Sequence, residues 1–206
     1  TTEPATRGNW VEGNQANGIY YYTFAQSLKG VSDIPYDPSL VHRVGLEIRL
    51  QPTGATAFIP ANNAVFTWTP ATGGPVESGR EIVDNDTCNA CHDNRVFHGG
   101  ARFDLQYCAM CHESYSFDAQ TGNTIDLKVM IHKIHRDKLP TGPYVIFGYE
   151  NRFYDYTAFQ FTQDQRNCQT CHQESDTDTP QASNWRLLPH ARPCGACHDT
   201  VNFQTG

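Results

Sequence analysis

The alternation of apolar and polar positions in the first third of the chain predicts β-strands. Residues 19–24 are all aromatic or β-branched and follow the turn signal Asn17-Gly18. Residues 40–50 carry apolar side chains on one face and charged ones on the other: Val44, Leu46, Ile48 and Leu50 against Arg43, Glu47 and Arg49. The run 63–69 repeats the pattern with Phe66 and Trp68 on one side, and breaks rich in Gly and Pro follow these runs. We expect a small antiparallel β domain over residues 1–85, a sandwich or barrel with the aromatic stripe as its core.

Residues 86–206 predict a second domain that is mostly irregular, with short helices. Its clearest helix runs from about Thr124 to Arg136, with Asn123 or Thr124 as N-cap. Asp126 falls in the first turn, where the helix dipole favours an acid, and basic side chains complement the other end.

Four copies of Cys-x-x-Cys-His lie in this second part and use every cysteine of the chain. The paired thiols are Cys88 and Cys91, Cys108 and Cys111, Cys168 and Cys171, and Cys194 and Cys197, followed by His92, His112, His172 and His198. Two thiols at this spacing form thioethers to the vinyl groups of one haem, and the next imidazole binds its iron from one side. Four disulfides or two zinc sites would also use eight cysteines, but neither needs the histidine. The sequence therefore predicts four c-type haems.

Five further histidines are candidates for the four sixth coordination positions: His42, His98, His132, His135 and His190. Five candidates for four positions favour bis-histidine iron throughout, which is closed to substrates and suited to electron transfer. On the predicted helix His132 and His135 diverge by about 60°, so they would serve two neighbouring haems.

The other three candidates differ in their surroundings. His98 follows the first motif by only six residues, so we expect it to bind a different haem. His190 lies in a loop stiffened by prolines four residues before the fourth motif. His42 shares the parity of Val44, which leaves two readings: a core histidine, or a ligand for a haem in this chain or in a neighbouring molecule. Core packing accounts for Met130 without a ligand role.

Composition and charge narrow the class of protein. The chain has 206 residues, 38% hydrophobic and 18% charged, as is ordinary for a globular protein. The 119 residues after position 87 hold all four motifs, so haem would form much of their core. The formal charge of −7 makes nucleic acid an unsuitable partner. No run of apolar residues is long enough to span a membrane. Covalent haem attachment implies export, so we expect an extracellular or cell-surface protein whose signal peptide has been removed.

The runs CNACH, FHGGARFDLQYCAMCH, GNTIDLKVMIHKIHR, RNCQTCH and CGACHDTVNF resemble the first haem domain of the outer-membrane decahaem cytochromes of metal-reducing bacteria, the MtrC/OmcA group. The resemblance covers residues 80–206, and the HRVGLEI strand with the aromatic strand before it resembles the preceding β-domain. It implies electron transfer along a closely spaced haem row to ferric minerals, flavins or other cytochromes. It also implies that His132 and His135 are distal ligands.

This chain departs from that family in having four motifs where relatives carry about ten haems. It is therefore expected to be either a fragment or a self-contained tetrahaem protein. Some extracellular multihaem cytochromes polymerise into conductive filaments in which a histidine crosses between subunits, and a spare His42 is compatible with such pairing of copies of this chain. The competing class is an enzyme, a multihaem reductase of a small oxyanion, which would need one iron with a vacant distal side.

Overall fold

The computed structural model describes residues 8–30, 35–57, 59–76, 80–93, 95–137 and 142–205. Within them, six strands form three separate two-stranded sheets, and short helices occupy much of the second half. The strands are β1 (Asn9–Asn14), β2 (Ile19–Thr23), β3 (His42–Leu50), β4 (Ile59–Trp68), β5 (Val145–Phe147) and β6 (Phe153–Asp155). The α-helices are α1 (Asn85–His92), α2 (Leu105–Cys108), α3 (Leu127–Ile134), α4 (Asn184–Leu187) and α5 (Ala191–Gly195). None of the described helices is both long and apolar enough to cross a bilayer.

The backbone contacts divide the chain into two compact units. The first comprises residues 1–42 and 68–74, and the second comprises residues 43–67 and 75–206. The second unit therefore includes most of β3 and β4 together with all four Cys-x-x-Cys-His motifs. The boundary between residues 85 and 86 stays a prediction from sequence.

The first unit is built on a hairpin of β1 and β2, as the strand pattern predicts. The strands are antiparallel, and Val11 lies opposite Tyr21. Gly18 has a φ of +66° at the turn, a conformation that glycine adopts without the clash of a side chain. The aromatic run of β2 does not form a core: Tyr20 and Tyr21 are 54% and 61% exposed. The expectation of an aromatic core in this strand was wrong.

In the hairpin of β3 and β4, the face that is more buried is the opposite of the one expected. Its charged face is the half-buried one, whereas Leu46, Ile48 and Phe66 on the apolar face are each at least 40% exposed. The physical reason is the polar character of the segment that it covers. Arg43 donates to the side-chain oxygen of Gln106 (3.2 Å), and Glu47 accepts from Arg102 (2.7 Å). The predicted sandwich or barrel is not formed by the strands described.

Asn63 joins this hairpin to the segment that precedes the second motif. It is 7% exposed, and its amide nitrogen donates to the carbonyl of Ala101 (2.9 Å). Its side-chain oxygen accepts from the backbone N–H of Phe103 (2.8 Å) and of Asp104 (3.3 Å). One buried side chain thus fixes the loop that leads into α2.

The helix predicted over residues 124–136 is present but shorter, as α3. Asp126 occupies its N-cap position without capping the helix through its side chain. Its carboxylate instead accepts from Arg192 (2.8 Å), the second residue of α5. Thr124 lies in an isolated β-bridge with Phe117, so the helix begins later than predicted. The predicted N-cap at Asn123 or Thr124 was wrong, because the helix starts only after Asp126.

Candidate haem-binding sites

The four Cys-x-x-Cys-His motifs have a similar local backbone conformation. In the second, third and fourth motifs, the histidine N–H donates to the carbonyl of the first cysteine at 2.9–3.0 Å, and the first motif lies within α1. In every motif the first cysteine is half-buried and the second is exposed. One helical turn brings residues three and four apart to one side, so both thiols and the imidazole can face one cofactor.

Three of the four motif histidines face a second histidine. The Nε2 atoms of His92 and His135 are 3.4 Å apart. The ring centroids of His112 and His98 are 6.0 Å apart. Those of His172 and His132 are 6.2 Å apart, with ring planes 21° from parallel. His132 and His135, three residues apart on α3, thus lie opposite different motifs.

These pairs suit an iron held between two imidazoles. A metal–imidazole bond of about 2 Å on each side would place the two nitrogens about 4 Å apart, close to the observed 3.4 Å. In the second motif a small cavity brings both donor types together, since it is lined by His98, Cys108, Cys111 and His112, with Arg102 and Tyr107 beside them. Two thiols and two imidazoles around one cavity match what a c-type haem requires.

Backbone carbonyls fix the second ring nitrogen of one histidine in each pair. The Nδ1 atoms of His112 and His135 lie 2.8 Å from the carbonyls of Ile125 and Ile131. His132 Nδ1 is paired in the same way with the carbonyl of Lys128. A carbonyl on Nδ1 keeps the proton there, orients the ring and leaves Nε2 free to coordinate.

Burial keeps these rings in the form that binds metal. It lowers the pKa of His172 to about 4, with a further lowering from a charge on His132. It also lowers the pKa of His98 and of His135. A neutral imidazole is the coordinating form, so the surroundings favour ligation near neutral pH.

The three remaining histidines are placed differently. His42 Nε2 lies 2.9 Å from the carbonyl of Asp37, and its ring packs against Tyr36 and Trp68. His190 is exposed and caps α5, because its Nδ1 accepts from the backbone N–H of Arg192 (3.1 Å). His198 is exposed, and the described residues show no side-chain hydrogen bond or ring contact to it.

The motifs adjoin one another in an order different from that of the chain. Asn85 at the start of α1 donates to Asp104 (2.8 Å), which caps α2, so the first motif lies beside the second. Burial raises the pKa of Cys171, and the neighbouring thiols Cys88 and Cys91 raise it further, which places the third motif beside the first. Burial likewise raises the pKa of Cys197, and Cys168 is among the charges acting on it, which places the fourth motif beside the third.

Sequence reasoning missed the clamp that holds α3 on the fourth motif. Arg136 is 5% exposed, donates to the carbonyl of Ala196 between the last two cysteines (2.5 Å) and pairs with Asp199 (3.1 Å). At the other end of α3, Asp126 is 2% exposed and pairs with Arg192. Arg136 and Asp199 are 63 residues apart and Asp126 and Arg192 are 66 apart, and no local pattern marks such distant pairing.

The chain is similar to known outer-membrane cytochromes. A family model described as outer membrane cytochrome MtrC/MtrF-like, domains II/IV, matches residues 80–206. The multiheme cytochrome MtrC of Shewanella baltica (strain OS185) is 32% identical over 195 residues, which are 94% of this chain and 26% of that protein.

Two solved structures are similar to this chain, each with a TM-score of 0.68. MtrC from Shewanella baltica OS185 is 32% identical, with 97% of this chain and 29% of that chain covered. The outer membrane decaheme cytochrome OmcA is 29% identical, with 87% and 27% covered. The chain thus spans little more than a quarter of the length of these relatives. By its match over residues 80–206, the chain belongs to the MtrC/MtrF-like family of outer-membrane cytochromes.

Proposed function

We propose that this chain is a tetrahaem electron carrier that passes electrons along a row of closely spaced haems. The observation that carries the proposal is the opposition of three motif histidines to His135, His98 and His132. A haem bound at such a site supplies reversible one-electron chemistry at its iron.

The residues have distinct roles in holding each group. The two thiols of a motif would attach the haem, and the motif histidine would be one ligand of its iron. His135, His98 and His132 would supply the second histidine ligand at the first, second and third sites. Carbonyls on Nδ1 of His112, His132 and His135 strengthen one imidazole of each pair as a donor and hold its orientation.

The contacts between motifs support a defined electron path. The second motif adjoins the first, the first adjoins the third, and the third adjoins the fourth. Helix α3 reinforces the middle of this row, since it supplies one histidine to the first site and one to the third. We therefore propose the order second, first, third, fourth for the row.

The proposed partners are electron acceptors at the cell surface or outside it. The family relatives bear the names of outer-membrane multihaem and decahaem cytochromes. By that kinship, ferric minerals, flavins and other cytochromes are the proposed acceptors of this chain. The formal charge of −7 suits cationic mediators and mineral surfaces.

Two experiments test this function. Haem staining and the intact mass of the purified holoprotein should show four covalent haems. Dithionite-reduced protein should then be reoxidised by a soluble ferric chelate or an oxidised flavin, with reversible spectral changes during a potential titration. A colourless polypeptide, or one with fewer than four haems, would contradict the proposal. Rapid turnover with nitrite or sulfite as the sole oxidant would favour the reductase alternative.

A further inference from the structure

The cavity at the second site is lined by an arginine as well as by the thiols and imidazoles of that site. Arg102 shares the cavity with His98, Tyr107, Cys108, Cys111 and His112. A backbone bridge between Phe97 and Arg102 closes the turn that contains His98. This turn therefore holds a guanidinium, which is charged at every ordinary pH, beside an expected iron ligand.

Strand β3 fixes the position of this guanidinium through Glu47. One carboxylate oxygen of Glu47 accepts from Nε of Arg102 (2.7 Å), and the other pairs with Arg49 (2.6 Å). The side chains of Arg102 and Glu47 are only 30% and 16% exposed, so solvent screens their charges less than on an open surface. Because Glu47 is shared between two arginines, it offsets the charge of Arg102 only in part.

The backbone of β3 packs directly on the second motif at Gly45. A Cβ atom at this position would lie 2.7 Å from Sδ of Met110, inside the Cys-x-x-Cys segment, and 2.9 Å from the ring of Tyr107. Only glycine permits so close an approach. The strand that carries Glu47 is therefore fixed against the residues that would hold the second haem.

The charges of Arg102 and Glu47 act on the expected ligand ring with opposite signs. Burial lowers the pKa of His98, the cation of Arg102 lowers it further, and the carboxylate of Glu47 raises it. A haem iron gains one negative charge when it is reduced. A nearby cation therefore favours the reduced haem, and a nearby carboxylate favours the oxidised one.

We propose that Arg102 raises the reduction potential of the haem at the second site, and that Glu47 both positions Arg102 and limits the increase. The inference rests on the proposed electron-carrier function and adds a direction to it. The second site is one end of the proposed row, so the charge of Arg102 favours residence of an electron at that end. The β3–β4 hairpin thus takes part in setting the driving force along the row.

Potential titrations of the holoprotein, followed by nuclear magnetic resonance of the haem methyl groups, test the proposal. Contacts with Tyr107 assign the signals of the second haem. Arg102→Met should shift the reduction equilibrium of that haem about tenfold toward the oxidised state, which lowers its potential by about 59 mV. Arg102→Lys keeps the charge and should stay close to the wild type. Glu47→Gln should raise the potential of the same haem.

Arg166→Met is the matched control. It removes an arginine of an exposed ion pair two residues before the third motif, so it should leave the potential of the second haem unchanged.

Two results with the arginine variants would overturn the proposal. One is an unchanged potential of the second haem in Arg102→Met. The other is an equal fall in Arg102→Lys, which would trace the effect to packing instead of charge. If Arg102→Met does not fold, Glu47→Gln decides, since an unchanged or lowered potential there contradicts the proposal. An intact mass with four haems would then leave the electron-carrier function standing, whereas a peptide mass without haem on Cys108 and Cys111 would remove both.

Discussion

Helix α3 and the segment around α5 each carry two histidines, but only those of α3 each face another histidine. On α3, His132 and His135 are half-buried, and each faces a motif histidine on another element. His190 caps α5 and His198 follows its last residue by three positions, and both side chains are exposed. A site with two histidine ligands therefore needs two elements that face each other. The number of histidines alone does not predict how many irons have two such ligands.

The largest expected effect comes from breaking one opposed pair. In the His135→Ala variant the first site loses its second imidazole, so one haem should become high-spin and its potential should rise. Electron paramagnetic resonance and a potential titration measure this change. His190→Ala is the matched control and should change neither quantity. Equal effects of the two substitutions would contradict the difference between the two helices.

The contacts of Arg136 that hold α3 against the fourth motif should contribute strongly to stability. Arg136→Met leaves Asp199 and the carbonyl of Ala196 buried without their partner, so the free energy of unfolding should fall by about 3–5 kcal/mol. Denaturant titration of the holoprotein measures it. Arg166→Met, which removes a fully exposed ion pair with Asp164, should give no measurable change. A small effect at Arg136 would mean that α3 is held on the fourth motif by other contacts.

The β3–β4 hairpin supports the site of His98 and His112 through Asn63. Asn63→Ala leaves the N–H of Phe103 and the carbonyl of Ala101 without their side-chain partner. The expected loss is about 2–3 kcal/mol in the free energy of unfolding. Thermal or denaturant unfolding checks this value. The exposed neighbour Asn62, changed to Ala, serves as the control and should unfold like the wild type.

The smallest expected effect is the pH dependence contributed by Glu47. Burial alone would raise its pKa, but hydrogen bonds and charges from Arg102 and Arg49 hold the pKa below the ordinary value of 4.5. Ionised Glu47 therefore contributes fully to the free energy of unfolding above pH 4.5. The contribution is lost as the pH falls through the lowered pKa of Glu47 in the folded protein.

Glu47→Gln tests this contribution. At neutral pH the variant should be less stable by about 1 kcal/mol. The gap from the wild type should close on acidification below the ordinary carboxyl pKa. Unfolding curves between neutral and acidic pH measure it, and a gap that stays constant would contradict the assignment.

Local patterns predicted the elements better than they predicted what those elements face. The strands that follow Asn17-Gly18 and include Val44, and the helix that carries His132, are where periodicity places them, and these predictions are confirmed. The burial of β3 was predicted with the wrong face inward, because its partner surface presents Arg102 and Gln106. Periodicity shows which side chains share a face, but it does not show what the other surface offers.

In the candidate site too, local features were predictable from the sequence and tertiary contacts were not. The spacing of the motifs predicts the four thiol pairs and the four proximal histidines, and these assignments stay predictions. The divergence of His132 and His135 was also predictable, since it depends on helix geometry alone. The opposition of His98 to His112 and the contact of Arg136 with Ala196 depend on distant parts of the chain meeting, which no local spacing encodes.

Direct location of the irons in the holoprotein, by crystallography at the iron absorption edge or by cryo-electron microscopy, tests the central claim most directly. We predict His92 and His135 on one iron, His112 and His98 on a second, and His172 and His132 on a third. A map in which His132 and His135 exchange partners, or bind the same iron, would contradict the account.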